Sequence, residues 1–342
     1  MKFGPVAIAD AEGAVAAHAV RAGDLLIKKG TRLTAEHVAR LGAAGVGEVI
    51  AARLEAGDIG EDEAAHRLAK ATAGEGVRIE APFTGRSNLF AETAGVLVVK
   101  RAAIDHVNRI DEAVTLATLV AFKPVVPGEM IATVKIIPYA VAGRIVEEAE
   151  AAAKRAHPLV DVAPYRLARV GVVSTLLPSL KPATVDKTLR VLDQRLKPAA
   201  ATVTSERRVP HETKPLTSEL TGLAKSDADL IIVFGASAIA DRRDVIPAAI
   251  EGAGGRIHHL GMPVDPGNLL LLGELAGKPV IGAPGCARSP KENGFDWVLS
   301  RLLAKVPVTR EDIAGLGVGG LLMEIVSRPQ PREGGETRED EE

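Results

Sequence analysis

The chain has 342 residues, enough for two or three domains with a sizeable core, and its 42 Lys and Arg against 44 Asp and Glu leave a formal net charge of −2. That balance gives no electrostatic argument for nucleic acid or an anionic membrane, and six Phe, two Tyr and one Trp offer few stacking platforms for single-stranded nucleic acid. The single cysteine, Cys286, excludes an intrachain disulfide and a multi-cysteine zinc site.

In chain order, the start carries Asp10 and Glu12 where a signal peptide would need its apolar core, and no run of about 18 apolar residues follows. A soluble cytoplasmic protein with no membrane contact is expected. Leu33 to Leu41 has helical spacing with Thr34 as its N-cap and Gly45 as a breaker, and Val46 to Ala52 then reads as a strand. Residues 1–56 thus form a small N-terminal α/β unit. A mixed α+β insert and linker is expected over 57–163: an amphipathic helix at Glu61 to Thr72, short strands and turns from Arg78 to Val99, a helix from Ile104, a turn at Pro127 to Met130 before the strand Ile131 to Ile137, and a helix at Glu147 to Arg155. This insert matches no chemistry and reads as a structural spacer, with a substrate lid or a dimerisation arm as the alternatives.

The main domain is expected over 164–326. Arg169 to Ser174 starts it as an apolar strand, Val185 to Leu196 follows as a helix, and Glu206 to Val209 is the next strand. Within Asp229 to Gly285 lie three apolar runs of strand length, Leu230–Phe234, Leu269–Leu272 and Pro279–Ile281, with the helical segment Val245 to Ala253 between the first two. Runs this apolar suit strands buried on both faces of a parallel sheet, which places the glycine turns at Gly235 and at Gly282 to Gly285 beyond strand C-terminal ends, where open sheets bind ligands. The fold class is therefore α/β, a mostly parallel sheet with helices on both faces, preceded by smaller α+β units. A helix at Phe295 to Leu303 closes the alternation, and 327–342 reads as a disordered acidic tail.

The order of the turns is more specific than their presence. A Gly-x-Ser turn (Gly235, Ser237) leads to Arg243-Asp244-Val245-x-Pro247, then Pro266-Gly267-Asn268, then Pro284-Gly285. This succession resembles the molybdopterin-binding domain shared by molybdopterin adenylyltransferases and molybdopterin molybdenumtransferases. The stretch from Ala22 to Leu33 is similar to the part of the molybdenumtransferases that precedes that domain.

The resemblance implies molybdopterin as ligand or substrate, with Mg2+ and ATP as accessories and a homo-oligomer as the assembly. Asp244 matches the acid of the family's Arg-Asp-Val-Thr-Pro motif and is the first candidate for a catalytic, Mg2+-holding carboxylate; its alternative is a helix-start acid favoured by the dipole. Asp186, which opens the helix after the first strand, is the second candidate, with Thr188 beside it. Gly235, Ser237, Arg243, Pro266, Gly267, Asn268, Pro284, Gly285 and Ser289 are the expected cofactor-binding residues, because glycine turns let backbone N–H groups approach a phosphate or pterin. Arg288 and Lys291 add positive charge for a phosphate. His211 with Glu212 reads either as a base pair or as an ordinary surface loop, and His258 and His259 point to opposite faces of a strand.

Departures from the family pattern are equally specific. Where the first strand should end in Thr-Gly-Asp-Glu-Leu it reads Ser174-Thr175-Leu176-Leu177-Pro178, and His211 stands where an acid belongs. Two readings therefore stand: a phosphoryl, adenylyl or molybdate transferase acting on the molybdopterin phosphate, and a non-catalytic carrier serving a nucleotidyltransferase partner. An unrelated α/β enzyme of phosphorylated metabolites is a third.

Overall fold

The computed structural model describes residues 1–322; the expected disordered tail lies outside the described residues. The chain divides into two compact units, Met1–Pro164 and a second from Tyr165 onward.

The first unit opens with Lys2–Ala7 paired antiparallel to Glu48–Arg53. The helix Ala35–Ala43 starts at Thr34, whose hydroxyl accepts from the His37 N–H. The helices Glu61–Thr72 and Gly143–Ala156 then lie over small antiparallel sheets, among them the four-stranded one built on Arg86–Ala91 and Met130–Ile136. Their Ala-rich buried faces (Ala64, Ala65, Ala69, Ala149, Ala153) pack against Leu89, Ile131 and Val134 in one core.

The second unit is the α/β domain. Its elements are β1 (Arg169–Leu176), α1 (Pro182–Leu196), β2 (Thr202–Pro210), α2 (Thr213–Lys225), β3 (Leu230–Phe234), α3 (Val245–Gly252), β4 (Arg256–Leu260), β5 (Leu271–Leu275), β6 (Lys278–Ala283), α4 (Gly294–Leu303) and α5 (Arg310–Ala314). The sheet order is β2-β1-β3-β6-β5-β4. β2, β1, β3 and β6 run parallel, with Val170 beside Leu230 and Ile231 beside Val280. Alternation along the strands splits the apolar load between two faces. Val170, Val172, Ile232 and Phe234 pack with Leu192 and Leu196 of α1 and Phe295 and Val298 of α4. Val173, Ile231 and Val233 pack with Leu216 and Leu220 of α2 and Ile246 and Ile250 of α3. Helices therefore cover both faces, which is why these strands read as continuous apolar runs.

One expectation is corrected. The Leu269–Leu272 run does not form a parallel strand: β5 starts at Leu271 and runs antiparallel to β6, joined to it by the tight turn Ala276-Gly277, both at positive φ. A β-strand buried on both faces has the same apolar composition in either direction, and the two-residue turn decides the sense. The reversal places the start of β5, and hence Pro266-Gly267-Asn268, at the same edge as the C-terminal ends of the parallel strands.

The opposite edge is closed by Asp229, whose carboxylate accepts from the Arg169 guanidinium at 2.8 Å and from the backbone N–H groups of Ala168 and Arg169. The Arg169 guanidinium, seconded by those N–H groups, holds the carboxyl at a pKa of about 2, against an ordinary 3.8. Folding lowers this pKa, so the ionised group stabilises the native state above about 3.8 and loses that contribution as pH falls toward about 2. Asp229→Asn is expected to unfold at a lower urea midpoint than the parent at neutral pH, and the two curves to converge near pH 2; denaturation at both pH values checks this. Among the described residues no helix is long and apolar enough to cross a membrane.

Candidate functional site at the C-terminal edge of the sheet

Three strand ends meet at this edge. The buried Thr175 of β1 ties them: its hydroxyl accepts from the Ala236 N–H beyond β3 at 2.8 Å and lies 2.8 Å from Nδ1 of His211 beyond β2. The His211 N–H in turn donates to the Leu176 carbonyl at 2.8 Å. The loop reading of His211 thus gains a fixed place in the fold. Thr175→Val removes the acceptor of a backbone N–H and is expected to cost about 1–3 kcal/mol, the penalty of an unsatisfied buried group, read as a shift of the thermal or urea transition.

The expected glycines divide by their surroundings. A Cβ on Gly235 would lie 2.6 Å from the Ser237 carbonyl oxygen and 2.8 Å from Ile246, so this turn has no room for a side chain. Gly267, at φ +143°, sits against Gly294 at the start of α4, and the Gly294 N–H donates to the carbonyl of the buried Pro266 at 2.8 Å. The Pro266-Gly267-Asn268 turn is therefore packed into the base of α4, with Asn268 exposed above it. Gly285 faces open space, next to the buried Pro284.

Arg288 joins two of these turns. Its guanidinium, half-buried, donates to the Gly235 carbonyl at 2.6 Å. Burial pulls its pKa below the ordinary guanidinium value, and no carboxylate pairs with it among the described residues. The loop that carries it is set from below by Arg195 of α1, a residue that motif reading passed over. Arg195 pairs with the Asp296 carboxylate and donates to the carbonyls of Ala287 at 2.8 Å, Ser289 at 2.7 Å and Lys291 at 3.2 Å. Ser289 keeps its hydroxyl within the loop, accepting from the Lys291 N–H. Asn293 and Asp296 form a reciprocal cap that starts α4.

The two acids singled out from the sequence are both engaged. Asp244 is the N-cap of α3; one carboxylate oxygen accepts from the Val245 N–H at 2.7 Å and the other from the Ala240 N–H at 3.2 Å. Asp186 is paired with Arg208 of β2 at 2.7 Å, on the β2 side of the domain. Arg243 is largely exposed and pairs with Asp241 at 2.7 Å. Among the described residues no three His, Cys, Asp or Glu side chains are grouped to hold a metal ion. The donor set does not fit the Mg2+ expected at Asp244, so no step is routed through it.

Two hollows lie elsewhere: about 530 Å³ at the Asp229 edge, beside Arg169 and Lys278, and about 520 Å³ between α1 and β2. Both are open grooves. At the Asp229 edge Arg169 is neutralised by Asp229, and Lys278 is spent on the Leu223 and Ser226 carbonyls. The glycine edge carries the uncompensated charge and the close backbone approaches, and we take it as the candidate site on that chemistry.

Residues 5–53 match a domain of unknown function, DUF8806. No curated protein matches the chain. Among solved structures it is similar to the molybdopterin biosynthesis moea protein of Pyrococcus horikosii, at 13% identity over 89% of this chain and 75% of that one, with a TM-score of 0.31, too low for the likeness to carry weight. Residues 171–305, which hold all of these turns, match the family of probable molybdopterin binding domains, and the second unit accordingly carries a domain of the molybdopterin-binding, molybdenum-cofactor biosynthesis family.

Proposed function

We propose that the second unit binds molybdopterin, or its nucleotide-linked form, at the C-terminal edge of its sheet and acts in molybdenum-cofactor assembly. One observation carries this reading: a half-buried guanidinium without a carboxylate partner reaches across to the Gly235 turn, beside an open approach at Gly285. A terminal phosphate there meets Arg288 from one side, and the pterin lies along the backbone of the glycine turns. Within this reading the carrier role is favoured over an adenylyl, phosphoryl or molybdate transfer, because Asp244 and Asp186 are held by a helix cap and an ion pair. A nucleotidyltransferase partner then supplies the acids missing from the end of β1. The oligomeric assembly stays part of this proposal.

Mass spectrometry of pterin species after incubation of the full chain with molybdopterin and Mg-ATP tests it. Molybdopterin retained unchanged is expected. An adenylylated species formed by the parent and lost in Asp244→Asn would make the protein a transferase, and no retained pterin would contradict the binding reading.

A further inference from the structure

We propose that the phosphate of the bound ligand is held directly by Arg288, without a bridging divalent cation, so that removing Mg2+ leaves affinity unchanged. The inference rests on the proposed binding of a pterin phosphate and adds how the anion is neutralised.

A divalent cation serves a phosphate site when carboxylates hold it and their charge must be offset before the anion can approach. Four carboxylates here are already engaged. Both oxygens of Asp244 accept backbone N–H groups, Asp186 belongs to Arg208, Asp241 to Arg243 and Asp296 to Arg195. The end of β1 is Ser174-Thr175-Leu176, without an acid; the end of β2 leads into His211, turned toward Thr175, and then Glu212, which is exposed at the start of α2. What the edge supplies in place of metal is a guanidinium. A guanidinium has five N–H donors in a planar fork, and Arg288 commits one nitrogen, Nη2, to the Gly235 carbonyl. Half-burying a cation with no counter-charge is unfavourable, and a phosphate oxyanion in a bidentate contact removes that cost. A second group points the same way: the Ser174 hydroxyl is buried at this edge without a partner. Strand alternation puts Ser174 on the same face as Val170 and Val172, the face covered by α1 and α4 and approached by the loop of Arg288.

The test is a fluorescence titration of the full chain with the monophosphate of 6-hydroxymethylpterin, in EDTA and again in Mg2+, alongside dephosphorylated 6-hydroxymethylpterin. The expected result is the same Kd within about twofold in both buffers. Arg288→Gln is expected to weaken the monophosphate by about tenfold or more, close to 1.4 kcal/mol, and to leave the dephosphorylated pterin unchanged. The buffer comparison on the parent needs no variant and stands whatever the substitution does to folding. A tenfold gain on adding Mg2+, lost in Asp244→Asn (which keeps a capping oxygen), would overturn the inference and leave the binding reading intact. Equal affinities of Arg288→Gln and parent for the monophosphate would remove Arg288 from the site. No binding of the monophosphate in either buffer would overturn the binding reading itself.

Discussion

Arg195→Met is expected to destabilise the second unit by about 3–5 kcal/mol, the usual cost of removing one partner of a buried ion pair. The parent side chain is only 10% exposed, spans from α1 to α4, and satisfies the Asp296 carboxylate together with three loop carbonyls. Methionine preserves most of the volume and the helix propensity, so the loss isolates the guanidinium. Asp296 keeps its bond from the Asn293 N–H, but its charge is left without a counter-ion. The effect on function is expected to exceed the effect on stability. The segment 287–291 is positioned by these carbonyl contacts, and Arg288 lies in the middle of it. Urea denaturation gives the first quantity, and pterin affinity measured well below the transition gives the second. An Arg195→Met protein as stable as the parent would show that the loop holds itself.

Gly267→Ala is the second large effect. An added Cβ would stand 2.9 Å from both the Cα and the N of Gly294, and these are backbone atoms of a capped helix start with nowhere to move. The residue also sits at φ +143°, where side chains are disfavoured. Overpacking costs about 1–3 kcal/mol and a backbone conformation of this kind about 1–3 kcal/mol more, so a loss of about 2–6 kcal/mol is expected. Gly285→Ala is the comparator. A Cβ there meets nothing within 4 Å, so its stability is expected to match the parent within about 0.5 kcal/mol, the usual range for an exposed site. Thermal melts of both variants check the contrast. Equal effects would mean that the turn before β5 is not packed on α4.

The amphipathic and strongly apolar segments were the legible part of the fold. Glu61–Thr72, Leu230–Phe234 and the helix after Asp244 sit where periodicity and the turn residues set them. The direction of β5 was not legible, because the Leu-rich run satisfies both senses and only the Ala276-Gly277 turn distinguishes them. The glycine turns of the candidate site were legible as a set, since their order along the chain is what the family resemblance reads. Their partners were not. Arg195 meets the Ser289 loop from 94 positions away, and Thr175 meets Ala236 from 61, separations at which no spacing rule operates. The two carboxylates singled out as chemically active show the same limit. An acid after a glycine turn and before a helix has the same sequence whether it caps the helix or ligates a metal, and three-dimensional contact shows Asp244 capping. Arg288 stood in the sequence as one of two cations in a loop; its bond to the Gly235 carbonyl and its lack of a carboxylate are properties of the folded edge.

The central claim, that the glycine edge takes the phosphate, is tested most directly by where a phosphorylated pterin lands on the folded chain. Amide chemical-shift mapping of the isotopically labelled protein, titrated with the monophosphate of 6-hydroxymethylpterin, reports every exposed edge at once. Shifts are predicted at Gly235, Ala236, Gly285 and Cys286, with the amides of Asp229 and Lys278 at the opposite edge unmoved. Shifts confined to Arg169, Asp229 and Lys278, around the hollow at the opposite edge, would contradict that claim.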